Sequence, residues 1–361
     1  MDGADGASDD GVSGDETTDH EAPGASANEG APDETTDGES SEGLTYAAAG
    51  VDIAESEAAT AALVDAVGGP GTDGDYAGLV EVGDHYLGLA TDGVGTKLLV
   101  ARALADYSTI GIDCIAMNVN DLVAAGVDPV AFVDYLAVEE PDDDVAAQIG
   151  AGLREGADRA GVSLLGGETA VMPDVITDLD LAGTCAGFTP QDAVFPGTAQ
   201  PGDALVGWAS TGIHSNGLTL AREAVTREHA YEDPCPFGDY DTLGEALLEP
   251  TAIYTDLLEP MRAHGVHAAA HVTGGGWTNL ERLGTYRYEV TDPWPAQPVF
   301  EFVQEAGNVS DEEMHRTFNV GTGFVAALPA DRAESLAADT DGRVIGRVTE
   351  GDAVAIRGLE L

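Results

Sequence analysis

Acidic side chains outnumber basic ones by 66 to 14 in this chain of 361 residues, giving a formal net charge of −52. Charge of one sign at that density opposes compaction unless concentrated salt screens it. No fold can therefore distribute its carboxylates without reference to solvent, and the expected setting is a salt-loaded cytoplasm. The same balance argues against a nucleic-acid partner, because binding a phosphate backbone needs clustered Lys and Arg. A hydrophobic fraction of 43% is nevertheless enough for a sizeable core, which a wholly disordered acidic chain would lack.

The excess runs through the whole chain, and its first segment carries no cation at all. Residues 1–43 hold 14 Asp or Glu and no Lys or Arg. That composition buries too little apolar surface to offset its ordering entropy, so the segment is expected to be a solvated, disordered acidic tail. Beyond it, no apolar run approaches the roughly 20 residues that span a bilayer, and the start lacks the basic and apolar regions of a signal peptide. A cytoplasmic protein with no membrane partner is expected. Cys114, Cys185 and Cys235 form no CxxC or Cys/His spacing, so they are expected to be buried, reduced thiols.

From Tyr86 onward, strand-like and helix-like patterns alternate. Tyr86 to Ala90 reads as a strand, and Ile112, Ile115, Ala116, Val119, Leu122 and Val123 follow one helical face. Val130 to Val138 reads as a buried strand, Asp144 to Ala160 as a helix closed by Gly161, and Val162 to Leu165 and Leu179 to Phe188 as strands. Around Thr189 to Asp203 the chain becomes polar and punctuated by Pro and Gly, which predicts a boundary between a domain over 44–188 and another over 189–361. The second half restarts with a strand at Ala204 to Ala209, a helix from Asn216, helices near Ala246 to His264, and strands at His267 to Val272, Gly323 to Leu328 and Arg343 to Val348. Both halves are α/β.

Five segments could carry chemistry. In Ala90 to Lys97, Gly93 and Gly95 let backbone approach a ligand, Asp92 can hold a divalent cation, and Thr96 and Lys97 can donate to phosphate. Lys97 is the only lysine of the chain. Asn120 and Asp121 are weak helix formers late on a helix and need a local reason, unless they merely solvate its face. Glu168 follows Gly166 and Gly167 after a strand, from where a carboxylate can reach a cleft. In Ser210 to Gly217, Ser215 or Asn216 can cap a helix whose N-terminus suits an anion, with His214 beside it. His271 to Gly276 is another strand running into glycines. Each alone also fits an ordinary turn. Four of the five are strand-to-loop junctions, where ligands of α/β proteins collect, and together they suggest a metal-nucleotide site with phosphoryl transfer.

The segments resemble one family. AGVDI (Ala49 to Ile53), TDGVGTKL (Thr91 to Leu98), GIDCIAMNVNDLV (Gly111 to Val123), GGETAVMPD (Gly166 to Asp174), STGIHSNG (Ser210 to Gly217), LLEPTAIY (Leu247 to Tyr254), HVTGGG (His271 to Gly276) and EEMHRTFNVGTGF (Glu312 to Phe324) are similar, in order, to phosphoribosylformylglycinamidine cyclo-ligases, or AIR synthetases. The resemblance implies a two-domain α/β (α+β) fold. Its N-terminal domain would form a barrel shared across a homodimer, and its C-terminal domain a mixed sheet flanked by helices. It implies the ATP-dependent closure of formylglycinamidine ribonucleotide to aminoimidazole ribonucleotide, with magnesium and a possible need for potassium. By motif, Asp121, His214 and Lys97 would be catalytic. Asp92, Gly93, Gly95, Thr96, Lys97, Asn216, Gly274 and Gly275 would bind the nucleotide, and Asp92, Asp121, Asp52 and Glu168 the metal. Related phosphotransferases (thiamine-phosphate kinase, selenophosphate synthetase) are the alternative enzymes. An acidic interaction protein is the non-enzymatic one, disfavoured because acids run through the whole chain.

Overall fold

The computed structural model describes residues 43–51, 53–67 and 76–361. The acidic tail up to residue 42, and Asp52 among the expected metal ligands, lie outside the described residues. The described chain opens with helix α1 (Ile53–Val67). A first sheet follows, with β1 (Gly78–Val82), β2 (His85–Gly93), β3 (Pro129–Val138), β4 (Ser163–Val171) and β5 (Leu179–Pro190) ordered β1-β2-β5-β3-β4. Only β3 and β4 pair in parallel. Helices α2 (Leu98–Leu104) and α3 (Ile110–Ala124) connect β2 to β3, and α4 (Asp143–Ala160) is the crossover between the parallel pair.

The second sheet is mixed and seven-stranded. Its members are β6 (Asp203–Ala209), β7 (Ala268–His271), β8 (Arg287–Val290), β9 (Thr322–Pro329), β10 (Arg343–Thr349), β11 (Ala353–Ile356) and β12 (Leu359–Glu360), in the order β12-β11-β8-β10-β6-β9-β7. Helices α5 (Leu218–Thr226), α6 (Leu243–Leu248), α7 (Leu258–His264), α8 (Pro298–Gly307), α9 (Asp311–Thr317) and α10 (Ala333–Asp339) flank it.

Strongly periodic segments fold as their pattern dictates. Helix α4 starts where Asp142 accepts from the amides of Asp144 and Val145, and ends at Gly161 in the left-handed region. The predicted helices near Ala246 to His264 are α6 and α7, separated by Glu249 to Tyr254 without regular structure, because Pro250 cannot continue a helix. One expectation needs correction: strand β3, read as buried, is buried on one face only, with Phe132 and Leu136 inward and Val133 and Tyr135 exposed.

That asymmetry runs across the first sheet. Its inner face packs on α3, while Val80, Val82, Leu89, Val133, Tyr135 and Phe188 stand exposed on the other. Helix α3 lies between this inner face, α4 and β7. Gly111 permits the contact with α4, since a Cβ there would strike the backbone of Leu153 and Ile149. All residues of α3 are buried except Asp121. Cys114 and Cys185 are buried free thiols, and burial raises both well above their ordinary pKa; Cys235 is only half-buried.

Candidate active site

The C-terminal end of β2 delivers Asp92 to the inner side of the first sheet, toward α3. Its Oδ1 accepts from the Gly93 amide at 2.7 Å, and Asn118 of α3 donates to the Asp92 carbonyl at 3.2 Å. Burial, and next the charge of Asp121, push the Asp92 carboxyl up to about 6. Asp121, the accessible exception on α3, has a side chain 17% exposed. His271, at the end of β7, is buried and meets Asp121 Oδ1 through Nδ1 at 3.0 Å. Its Nε2 lies 3.4 Å from Asn120 Nδ2, so both bonds are satisfied when the ring proton sits on Nδ1. Asp92 from the first sheet, Asp121 from the helix between, and His271 from the second sheet thus converge.

Glycine loops surround the cluster. Gly93 and Gly95 follow Asp92, and Thr96 Oγ1 is 3.0 Å from Thr219 Oγ1 of α5, joining the two halves. On the facing wall, Asn216 reaches Met117 of α3, and Gly274 lies against the Asn216 side chain. Helix α5 starts at Leu218 with Gly217 as its cap, so neither Ser215 nor Asn216 caps it. Gly217 has φ +75°, and any Cβ there would enter the Phe318 ring.

Other expected site residues lie elsewhere. Lys97 is fully buried: its ammonium is 2.9 and 2.8 Å from the two Asp113 oxygens and donates to the Glu249 carbonyl at 2.6 Å. An ammonium so enclosed is committed to protein acceptors, which corrects the expectation of a phosphate contact. Glu168 is exposed on the edge strand β4, in register with Tyr135. It lies on the sheet face opposite Asp92, because side chains alternate across a strand, so the two expected metal ligands do not share a face.

His214 is buried, with a left-handed backbone at φ +66°. Its Nε2 accepts from the amides of Thr211 at 3.1 Å and Ala252 at 3.4 Å, which leaves the proton on Nδ1. Burial, aided by His271 and Lys97, holds its pKa well below the ordinary value, so the ring is neutral. Among the described residues Nδ1 has no hydrogen-bond partner. His214 therefore offers a hydrogen bond from Nδ1 without changing charge. No group of three His, Cys, Asp or Glu able to hold a metal occurs among the described residues. The sequence reading did not assign Asp113, Thr251 or the pairing of His271 with Asp121. The strings LLEPTAIY and HVTGGG marked their places, but nothing local to either string indicates its partner.

Two family models match the chain, "AIR synthase related protein, N-terminal domain" over residues 74–189 and "AIR synthase related protein, C-terminal domain" over 200–358. The phosphoribosylformylglycinamidine cyclo-ligase of Methanosarcina acetivorans is 46% identical over 321 residues, covering 86% of this chain and 96% of that protein. The one from Pyrococcus horikoshii is 47% identical over 309 residues, covering 81% and 90%. Among solved structures, "AaThiL complexed with AMPPCP and TMP" superposes with a TM-score of 0.63 at 17% identity, covering 86% of this chain and 96% of that one. The tt0281 protein of Thermus thermophilus gives 0.60 at 23% identity, covering 84% and 97%. At these identities the structural likeness is one of fold.

Proposed function

The chain belongs to the phosphoribosylformylglycinamidine cyclo-ligase family, and from that premise we propose how its cleft works. The reaction is the ATP-dependent cyclisation of formylglycinamidine ribonucleotide to 5-aminoimidazole ribonucleotide, with release of ADP and phosphate, in purine biosynthesis. One observation carries this reading onto particular residues: Asp121 is the accessible position of an otherwise buried helix, and it lies within Coulombic reach of Asp92.

The formyl amide oxygen is a poor leaving group. Transfer of the γ-phosphoryl group to it breaks the bond to ADP and makes the formyl carbon electrophilic. The substrate's own nitrogen then attacks that carbon, loses a proton and expels phosphate, closing the imidazole. Holding both ends of one molecule together removes much of the entropic barrier. No protein nucleophile is required, so the protein's work is positioning and charge stabilisation.

Asp92 and Asp121 suit magnesium. Two neighbouring carboxylates, one of them pushed toward its protonated form, match a cation that takes its other ligands from phosphate oxygens and water. Bound there, the ion would screen the triphosphate. His271 orients Asp121 through the Nδ1 bond, as groups behind metal ligands commonly do. Gly93, Gly95 and Thr96 form one wall for the nucleotide and Asn216, Gly274 and Gly275 the other, while His214 Nδ1 is a neutral donor to the substrate.

The exposed face of the first sheet supports a homodimer. Val80, Val82, Leu89, Val133, Tyr135 and Phe188 form an apolar surface of the kind monomers rarely leave in water, and a second copy of the same sheet would cover it. No helix among the described residues is long and apolar enough to cross a membrane.

The test is an assay with formylglycinamidine ribonucleotide, ATP and magnesium in molar potassium chloride, following ADP and the aminoimidazole product together. Matched formation of both is expected. ADP without aminoimidazole would instead indicate a related phosphotransferase.

A further inference from the structure

Lys97 and Asp113 form an ion pair with both side chains 0% exposed. A buried pair seldom stabilises a fold more than apolar residues would, so this one calls for another reason. What it holds is the segment Glu249 to Tyr254, which has no helix or strand of its own.

One side of that segment is bound by the first half of the chain. Thr109 donates to the Leu248 carbonyl at 3.1 Å and Lys97 to the Glu249 carbonyl at 2.6 Å. Asp113 Oδ1 accepts from both the amide and the hydroxyl of Thr251, at 2.8 and 2.7 Å. Asn120 donates to the Ala252 carbonyl at 2.8 Å and accepts from the Tyr254 amide at 2.9 Å. Asp113 and Asn120 share one side of α3, by the spacing of a helix, and Thr109 stands at its N-terminus.

The other side of the segment binds the loop that carries His214. Thr211 donates to the Pro250 carbonyl at 2.6 Å, the Thr251 and Ser215 hydroxyls lie 3.3 Å apart, and the Ala252 amide donates to His214 Nε2 at 3.4 Å. A left-handed backbone is costly for a residue with a Cβ and persists only where its surroundings impose it. His214 has that backbone; the strap holds one side of its loop, and Asn319 holds the other by donating to the Gly212 and Ile213 carbonyls at 3.0 and 3.3 Å.

We propose that Lys97 and Asp113 are positioning residues: by seating the strap 249–254 they fix the tautomer and backbone of His214, and Lys97 serves turnover through this strap, not through a phosphate contact. For its activity readout the inference rests on the cyclo-ligase reading; for its spectroscopic readout it does not.

The experiment compares wild type, Lys97→Met and the double variant Lys97→Met/Asp113→Asn as full chains in molar potassium chloride. The double variant carries no unpaired charge and keeps the Asp113 Oδ1 acceptor for Thr251. Steady-state turnover, magnesium-ADP affinity by calorimetry, and the imidazole 15N spectrum without substrate are measured, with His214 assigned by His214→Gln. Misplacement of a positioned group costs about 100-fold. Lys97→Met is therefore expected to lose about that much kcat, keep ADP affinity within about 3-fold and shift the His214 signals. The double variant is expected to recover at least about 10-fold in kcat and to restore those signals. If Lys97→Met does not fold, the double variant must show the wild-type His214 signals and kcat within about 10-fold of wild type. Loss of ADP affinity by about 10-fold with unchanged His214 signals would overturn the proposal in favour of a phosphate contact. So would full activity of Lys97→Met, or a double variant no more active than the single one. If wild type makes no aminoimidazole, the cyclo-ligase reading fails, while the His214 spectrum still decides the strap.

Discussion

Replacing Asp92 by Asn separates the catalytic value of this carboxylate from its cost to the fold. Burial first, and the charge of Asp121 second, raise the Asp92 pKa from 3.8 to about 6. At about 1.4 kcal/mol per pKa unit, ionising this group costs the folded state about 3 kcal/mol. Between those two pKa values the native state binds more protons than the unfolded chain. Stability therefore falls as pH rises through about 4 to 6 and is lowest above that window. The Asn side chain is neutral, of similar shape, and can still accept the Gly93 amide bond now made at 2.7 Å. In EDTA and molar potassium chloride, Asp92→Asn should be more stable than wild type by about 3 kcal/mol at pH 7.5 and by about half of that at pH 5. At about 2 °C per kcal/mol, the melting temperature rises by about 6 °C at the higher pH. Magnesium should narrow the difference by stabilising only wild type, and the variant should lose turnover by at least about 100-fold. Thermal denaturation at the two pH values, with and without magnesium, is the assay. A variant no more stable than wild type at pH 7.5 in EDTA, or an advantage that does not shrink at pH 5, would refute the reasoning.

Three further outcomes follow from the geometry. His271→Ala removes the donor that orients Asp121, so the magnesium concentration for half-maximal turnover should rise by about 10-fold or more; an unchanged magnesium titration would detach His271 from the metal. Val133→Asp places a charge in the middle of the exposed sheet face, twice per dimer, and light scattering should find monomers at micromolar concentration, whereas a persistent dimer would move the interface elsewhere. Gly111→Ala forces α3 off the α4 backbone, and the clash outweighs the gain in helix propensity, for a loss of about 2 kcal/mol that thermal denaturation would report as a lower melting temperature.

The strands and helices legible beforehand were those whose period or termini are written locally. Helix α4 has an Asp at its start and a Gly at its end, and β5 alternates inward Leu181 and Cys185 with outward Thr184 and Phe188. The short elements β1, β8, β11, β12, α9 and α10 carry too little pattern to stand out from turns, and tertiary contacts sustain them. Glu168 shows the same limit at the site. Its Gly-Gly-Glu string marks a strand end in sequence, yet the strand runs on to Val171 and turns that carboxylate to the far face.

What the sequence by itself determined is the set of glycine-bearing junctions, with Asp92 at one of them, and the position of Asp121 late on a helix, because turn chemistry and helical period act over a few residues. Partnership was decided by the tertiary structure alone. Lys97 meets the Glu249 carbonyl 152 positions away, Asp113 meets Thr251 across 138, and Asp121 meets His271 across 150. The solitary lysine looks in sequence like a free cation beside a phosphate loop. Packing of α3 between the two halves encloses it instead, and a buried ammonium must find an acceptor wherever the fold brings one.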